Sequence, residues 1–75
     1  MKIIFSDHAN IKIDQRDLPR DFIVETVRMP DFTRPSRGLR EERYKYFGKN
    51  WLKVVVAKEP KSLVVVTAHW VVKIK

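Results

Sequence analysis

Residues 44–75, YKYFGKNWLKVVVAKEPKSLVVVTAHWVVKIK, read as three successive β-strands joined by two tight turns. Valine dominates the stretch, and β-branched side chains fit a pleated, half-buried surface. Gly48-Lys49-Asn50 and Lys58-Glu59-Pro60-Lys61-Ser62 carry the turn formers that separate the strands. Period-two alternation then sorts the side chains. Leu52, Val54 and Val56 share one face, against Trp51, Lys53, Val55 and Ala57. In the last strand Val64, Val66, Ala68, Trp70 and Val72 oppose Leu63, Val65, Thr67, His69 and Val71. The wholly apolar sets are assigned to a buried core, and the sets holding Lys53, Thr67 and His69 to a more open face. A meander this apolar needs cover on one side, because three strands alone leave a large hydrophobic face in water.

The residues before Tyr44 supply that cover. Lys2–Phe5 (KIIF) is a short apolar strand, and Ser6 is a good N-cap for a helix over about Asp7–Arg16, with Asp7 suiting the positive end of its dipole. Ala9 and Ile13 lie four apart and face the sheet, with Ile11 at one edge; His8, Lys12 and Arg16 form a single polar stripe. Leu18-Pro19 interrupts the helix, since the residue before proline resists the helical conformation. Pro19 then opens a second helix with a core-facing stripe of Phe22, Ile23 and Val27, Thr26 at its margin, and Met29-Pro30 at its end. Asp31–Arg43 (DFTRPSRGLREER) reads as a basic loop leading into the first meander strand near Arg43–Phe47. The predicted class is therefore α+β: a short first strand, then two N-terminal helices packed on one face of an antiparallel sheet of three to four strands, in one domain spanning residues 1–75.

Seventy-five residues leave room for one core only. The absence of cysteine excludes disulfides, thiol catalysis and cysteine-based zinc sites. No segment approaches the roughly 20 apolar residues of a membrane span, and no signal peptide is visible, so a cytoplasmic protein without a membrane partner is expected. Sixteen Lys and Arg against nine Asp and Glu give +7, a charge that attracts nucleic acid or an acidic protein. There is no phosphate loop, dinucleotide fingerprint, His-x-x-x-His pair or nucleophile elbow. Two histidines far apart in sequence fall short of what a metal demands, so neither metal nor cofactor is expected. The chemistry-bearing residues that remain are His8, Lys12, Arg16, Arg40, Arg43, Tyr44, Lys53 and His69.

The run FSDHANIKIDQRDLPRDFIVETVRMPD resembles the opening of the small toxin-like domains related to BrnT and RelE, some of which are known only as a domain of unknown function. The shared features are His8-Ala9, Lys12 and Arg16-Asp17-Leu18, a second helix from Phe22 to Pro30, and the strand pair Val54-Val55-Val56 and Val64-Val65-Val66-Thr67, together covering about Phe5 to Trp70. Two positions depart from the pattern: Asp17 stands where glycine is usual, and Lys12 stands where the family has arginine, keeping the charge but losing bidentate geometry. The resemblance implies a RelE-like fold and a toxin of a toxin–antitoxin pair, a metal-independent RNA endonuclease controlled by an acidic antitoxin. Its substrate would be RNA, free or as ribosome-bound mRNA. Attack of a ribose 2′-hydroxyl on the adjacent phosphate needs a base, an acid and cations. His8, Arg16, Arg43, Lys53 and His69 are the residues to which the resemblance and the residue types assign catalysis. Lys12, Arg37, Arg40 and Tyr44 are assigned to RNA binding, Tyr44 by stacking on a base.

Two other readings fit the same residues. One is a non-catalytic nucleic-acid-binding module working through Arg37, Arg40 and Arg43 of the basic loop, with salt-sensitive affinity. The other is a protein-interaction domain whose basic surface meets an acidic partner. Oligomeric state is not legible in the sequence.

Overall fold

Alternating valines seek a pleated sheet and the capped N-terminal segments seek helices; in a computed structural model, which describes residues 2–73, both are found. The order is β1 (Lys2–Phe5), α1 (Asp7–Arg16), α2 (Arg20–Arg28), β2 (Phe32–Pro35), β3 (Arg40–Tyr46), β4 (Trp51–Glu59) and β5 (Ser62–Val71). The α+β class holds, but the sheet has five strands and is mixed. Its order is β1-β5-β4-β3-β2, with β2 to β5 an antiparallel meander and β1 running parallel beside β5. Ile74 and Lys75, the end of the expected last strand, lie outside the described residues, and Val72 is exposed rather than in the core.

The additional strand, β2, comes from the segment read as a loop. Phe32 and Arg34 alternate with Thr33 and Pro35, and β2 lies at the sheet edge, where proline's missing N–H is tolerated. Ser36 to Leu39 make the tip, Gly38 taking a positive φ of 62°, and β3 begins three residues earlier than expected, at Arg40.

Helix α1 starts where its cap dictates: the Ser6 hydroxyl accepts the Ala9 N–H at 3.0 Å. It ends at Asp17, which adopts φ 52°, ψ 49°. The Leu18 N–H bonds the Ile13 carbonyl at 3.0 Å and the Asp17 N–H bonds that of Asp14 at 3.3 Å, the two hydrogen bonds of a Schellman ending. Buried Leu18 and Ile13 make its apolar partners. A left-handed conformation costs an L-residue roughly 1 kcal/mol relative to glycine. Asp17→Gly is therefore expected to stabilise the domain by about 0.5–1 kcal/mol, read as a raised urea midpoint with an unchanged slope.

Both helices bury their apolar sides on one face of the sheet. Ala9 and Ile13 of α1, Leu18, and Ile23 and Val27 of α2 form one cluster with Leu52, Val54, Val56, Leu63, Val65 and Ala68. Within α2 the buried positions are Ile23, Thr26 and Val27, and the Thr26 hydroxyl is satisfied by donating to the Phe22 carbonyl at 2.7 Å. Phe22, expected in the core stripe, sits at its margin. Its ring stacks on Phe47 at 4.3 Å, and Trp70 meets both rings edge-on.

The face assignment of β4 holds, whereas that of β5 holds only for its second half. Val55 pairs with Thr67, yet Val56 pairs with Val65, so β5 carries an extra residue, a β-bulge. The bulge reverses the parity. Leu63 and Val65, expected on the open face, are core residues, and Val64 and Val66 are only half-buried; beyond the bulge, Ala68 and Trp70 face the helices as expected.

Candidate functional site

Register aligns the side chains of the face opposite the helices into rows. Phe32, Tyr44, Lys53 and His69 stand directly opposite one another across β2, β3, β4 and β5, and Arg34, Glu42, Val55 and Thr67 form the next row. Neighbours in a row have Cβ atoms about 5 Å apart, so their side chains touch. Lys53 Nζ lies 3.6 Å from Glu42 Oε2, and the Tyr44 hydroxyl donates to Glu42 Oε1 at 2.8 Å. Glu42 thus binds an ammonium and a phenol at once. Burial, and then the hydrogen bond to Glu42, raise the Tyr44 pKa, so it remains a phenol; Arg34 opposes this only in part.

Arg16 of α1 reaches the edge of β5 beside this row. Its Nη1 donates to the carbonyl of Ala68 at 2.8 Å, beside His69 and beyond the stretch of β5 that β1 covers. His69 is half-buried, with Lys53 directly opposite on β4 and the Arg16 guanidinium on the neighbouring Ala68 carbonyl. Burial first, then Lys53 and Arg16, lower its pKa below the ordinary histidine value, while Glu42 works in the opposite direction. The imidazole is neutral at neutral pH and able to accept a proton.

At the β2 side of the row the aromatics gather. Phe32 stacks on Tyr44 at 4.6 Å, Trp51 packs edge-on to Phe32 at 5.3 Å and tilted against Tyr46 at 5.1 Å. The Arg34 guanidinium lies 5.5 Å from both the Phe32 and the Tyr44 ring centroids, a cation–π arrangement.

Of the residues singled out in the sequence, Arg16, Tyr44, Lys53 and His69 meet here. Arg43 does not. Although expected among the catalytic residues, it has Val54 as its cross-strand partner, on the helix side. There its Nε binds Glu41 Oε1 at 2.7 Å and its Nη1 donates to the Val27 carbonyl. Lys45, on the same side, donates to the Met29 carbonyl at 2.9 Å. Together they cap the C-terminal end of α2, where cations and donors are favoured. Burial alone would raise the Glu41 pKa, but its bonds to Lys58 and Arg43 outweigh this and hold it low. Arg43 is thus a helix-anchoring residue.

His8 is exposed in the first turn of α1, about 12 Å along the axis from Arg16. Lys12 lies between them on the same stripe, half-buried. Arg37 and Arg40 are exposed at the β2–β3 tip, away from the His69 row. Glu42 and Arg34 were missing from the candidate site. The signal for Glu42 was two positions from Tyr44, where strand alternation puts it on the same face.

The chain matches no protein-family model, no curated protein and no solved structure. Among the described residues no three His, Asp or Glu side chains converge as a metal cluster would require, and no helix is long and apolar enough to cross a membrane.

Proposed function

We propose that this is a RelE-like toxin domain whose open sheet face cleaves RNA without a metal, restrained by an acidic antitoxin. The observation that carries the reading is the row that sets His69 directly opposite Lys53, on a face that also offers aromatic rings. In the reaction the His69 imidazole takes the proton of a ribose 2′-hydroxyl as its oxygen attacks the adjacent phosphorus. The bond from phosphorus to the 5′ oxygen then breaks, and the Lys53 ammonium gives that oxygen a proton. The products are a 2′,3′-cyclic phosphate and a 5′-hydroxyl. Arg16, with guanidinium N–H groups beyond the one on Ala68, stabilises the charge gathering on the phosphate oxygens. Glu42 orients Lys53 through their 3.6 Å contact, and the Arg37–Arg40 tip holds the phosphate backbone. With His8 remote from this face, a single histidine serves, which is why the acid role falls to Lys53.

The test is incubation of the purified chain with single-stranded RNA and with translating ribosomes, in EDTA and in magnesium. Cleavage indifferent to EDTA, yielding cyclic-phosphate ends, is the expected result. Absence of cleavage in every format, with no growth arrest on expression, removes the nuclease reading. The exposure of Arg37 and Arg40 favours the non-catalytic alternative if salt-sensitive RNA binding survives alone.

A further inference from the structure

On the other side of the sheet, between the C-terminal end of α2 and the β1–β5 pair, lies a cleft of about 340 Å³ lined by Ile3, Val27, Arg28, Arg43 and Leu63. We infer that this cleft docks an acidic protein segment through one apolar anchor side chain flanked by a carboxylate. Three observations carry it. The floor is apolar: Ile3 and Leu63 pair directly across β1 and β5, and Val27 closes the helix side. The volume is at the small end of ligand sites, which begin at about 300 Å³, and suits a single anchor better than an extended ligand. The two cations at the cleft differ in commitment. Arg43 is held by Glu41 and the Val27 carbonyl, whereas the Arg28 side chain is exposed and makes no hydrogen bond or ion pair among the described residues. An apolar floor beside an unengaged guanidinium, in a chain of net charge +7, complements an apolar residue next to an acidic one.

This deepens the partner half of the reading above and does not depend on RNA cleavage. Strand β3 alternates between the two sites, with Glu41 and Arg43 turned to the helix side and Glu42 and Tyr44 to the open face. A segment in the cleft therefore leaves the His69 row itself uncovered, and the partner restrains cleavage only through parts of it that lie outside the cleft.

The test uses the full chain, ¹⁵N-labelled, titrated with a blocked peptide of sequence Asp-Glu-Leu-Glu-Asp and with a control in which serine replaces leucine. The leucine peptide is expected to shift the amides of Ile3, Val27, Arg28 and Leu63, with Lys53 and His69 unmoved, and to bind at least about tenfold tighter than the control. Arg28→Glu, a surface change whose folding the spectrum itself reports, is expected to weaken binding by about tenfold or more. Equal binding of both peptides, shifts centred on Lys53 and His69, no binding at all, or an indifferent Arg28→Glu each overturn the cleft. None of these outcomes bears on whether the open face cleaves RNA, and loss of cleavage leaves the cleft result untouched.

Discussion

His69→Ala is expected to reduce RNA cleavage by at least about 100-fold, the smaller end of what a general base contributes, with RNA binding and spectral dispersion retained. The pH profile distinguishes a base from a merely structural histidine. His69 is held below the ordinary value first by burial, then by Lys53 and Arg16, so the acid limb of kcat/KM should lie below about 6.5. Replacing Lys53 by methionine removes a cation that disfavours protonation and should move that limb upward; the same change should lower the plateau, because Lys53 is also the proposed acid. Glu42→Gln removes the one opposing charge and should move the limb downward. Stability follows the same group. Between the folded and unfolded pKa values the unfolded chain binds more protons, so the contribution of neutral His69 is complete above about pH 6.5 and is lost as the pH falls through the folded value. Cleavage that survives His69→Ala, or limbs that move the opposite way, would remove His69 from the mechanism.

The helices were legible because their ends are written in single residues. Ser6 and Asp7 start α1, and its last residue was expected at Arg16, where it is found. Pro19 marks the entry to α2, although it serves as the N-cap and not as the first helical residue. The strands were less legible. Phe32–Pro35 is too short and too interrupted to signal a strand, and it becomes one because β3 offers a free edge and Phe32 can stack on Tyr44. The bulge was hidden for a different reason. Val64, Val65 and Val66 are chemically identical, so nothing in the run says which valine is supernumerary. The site was half legible. Lys53 and His69 share a face because the bulge lies outside the segment that pairs them. Parity along β3 separates Arg43 from Tyr44, two neighbours that the sequence offers alike as chemistry-bearing residues.

Val65→Asp is expected to leave the chain unfolded at 25 °C, whereas Val64→Asp is expected to cost about 1 kcal/mol, the span between a good and a poor strand former. The ranking follows from the bulge. Val65 is fully buried, opposite Val56 and inside the cluster that both helices cover. A carboxylate there would lose its hydration among the apolar side chains of that cluster, at a penalty of several kcal/mol even after relaxation. A domain of this length has roughly 4–11 kcal/mol in total, at about 0.05–0.15 kcal/mol per residue, and β5 is the strand between β1 and β4 on which the sheet depends. Val64 pairs with Ala57 and with Ile4, itself 39% exposed, so a carboxylate at that position reaches water. Regular alternation without a bulge would put Val64 under the helices and reverse the order. Circular dichroism of the two variants, followed by urea titration of whichever is folded, decides between these registers. It also bears on the site, since the bulge that follows Val65 reverses the parity by Thr67 and so sets His69 on the open face, opposite Lys53.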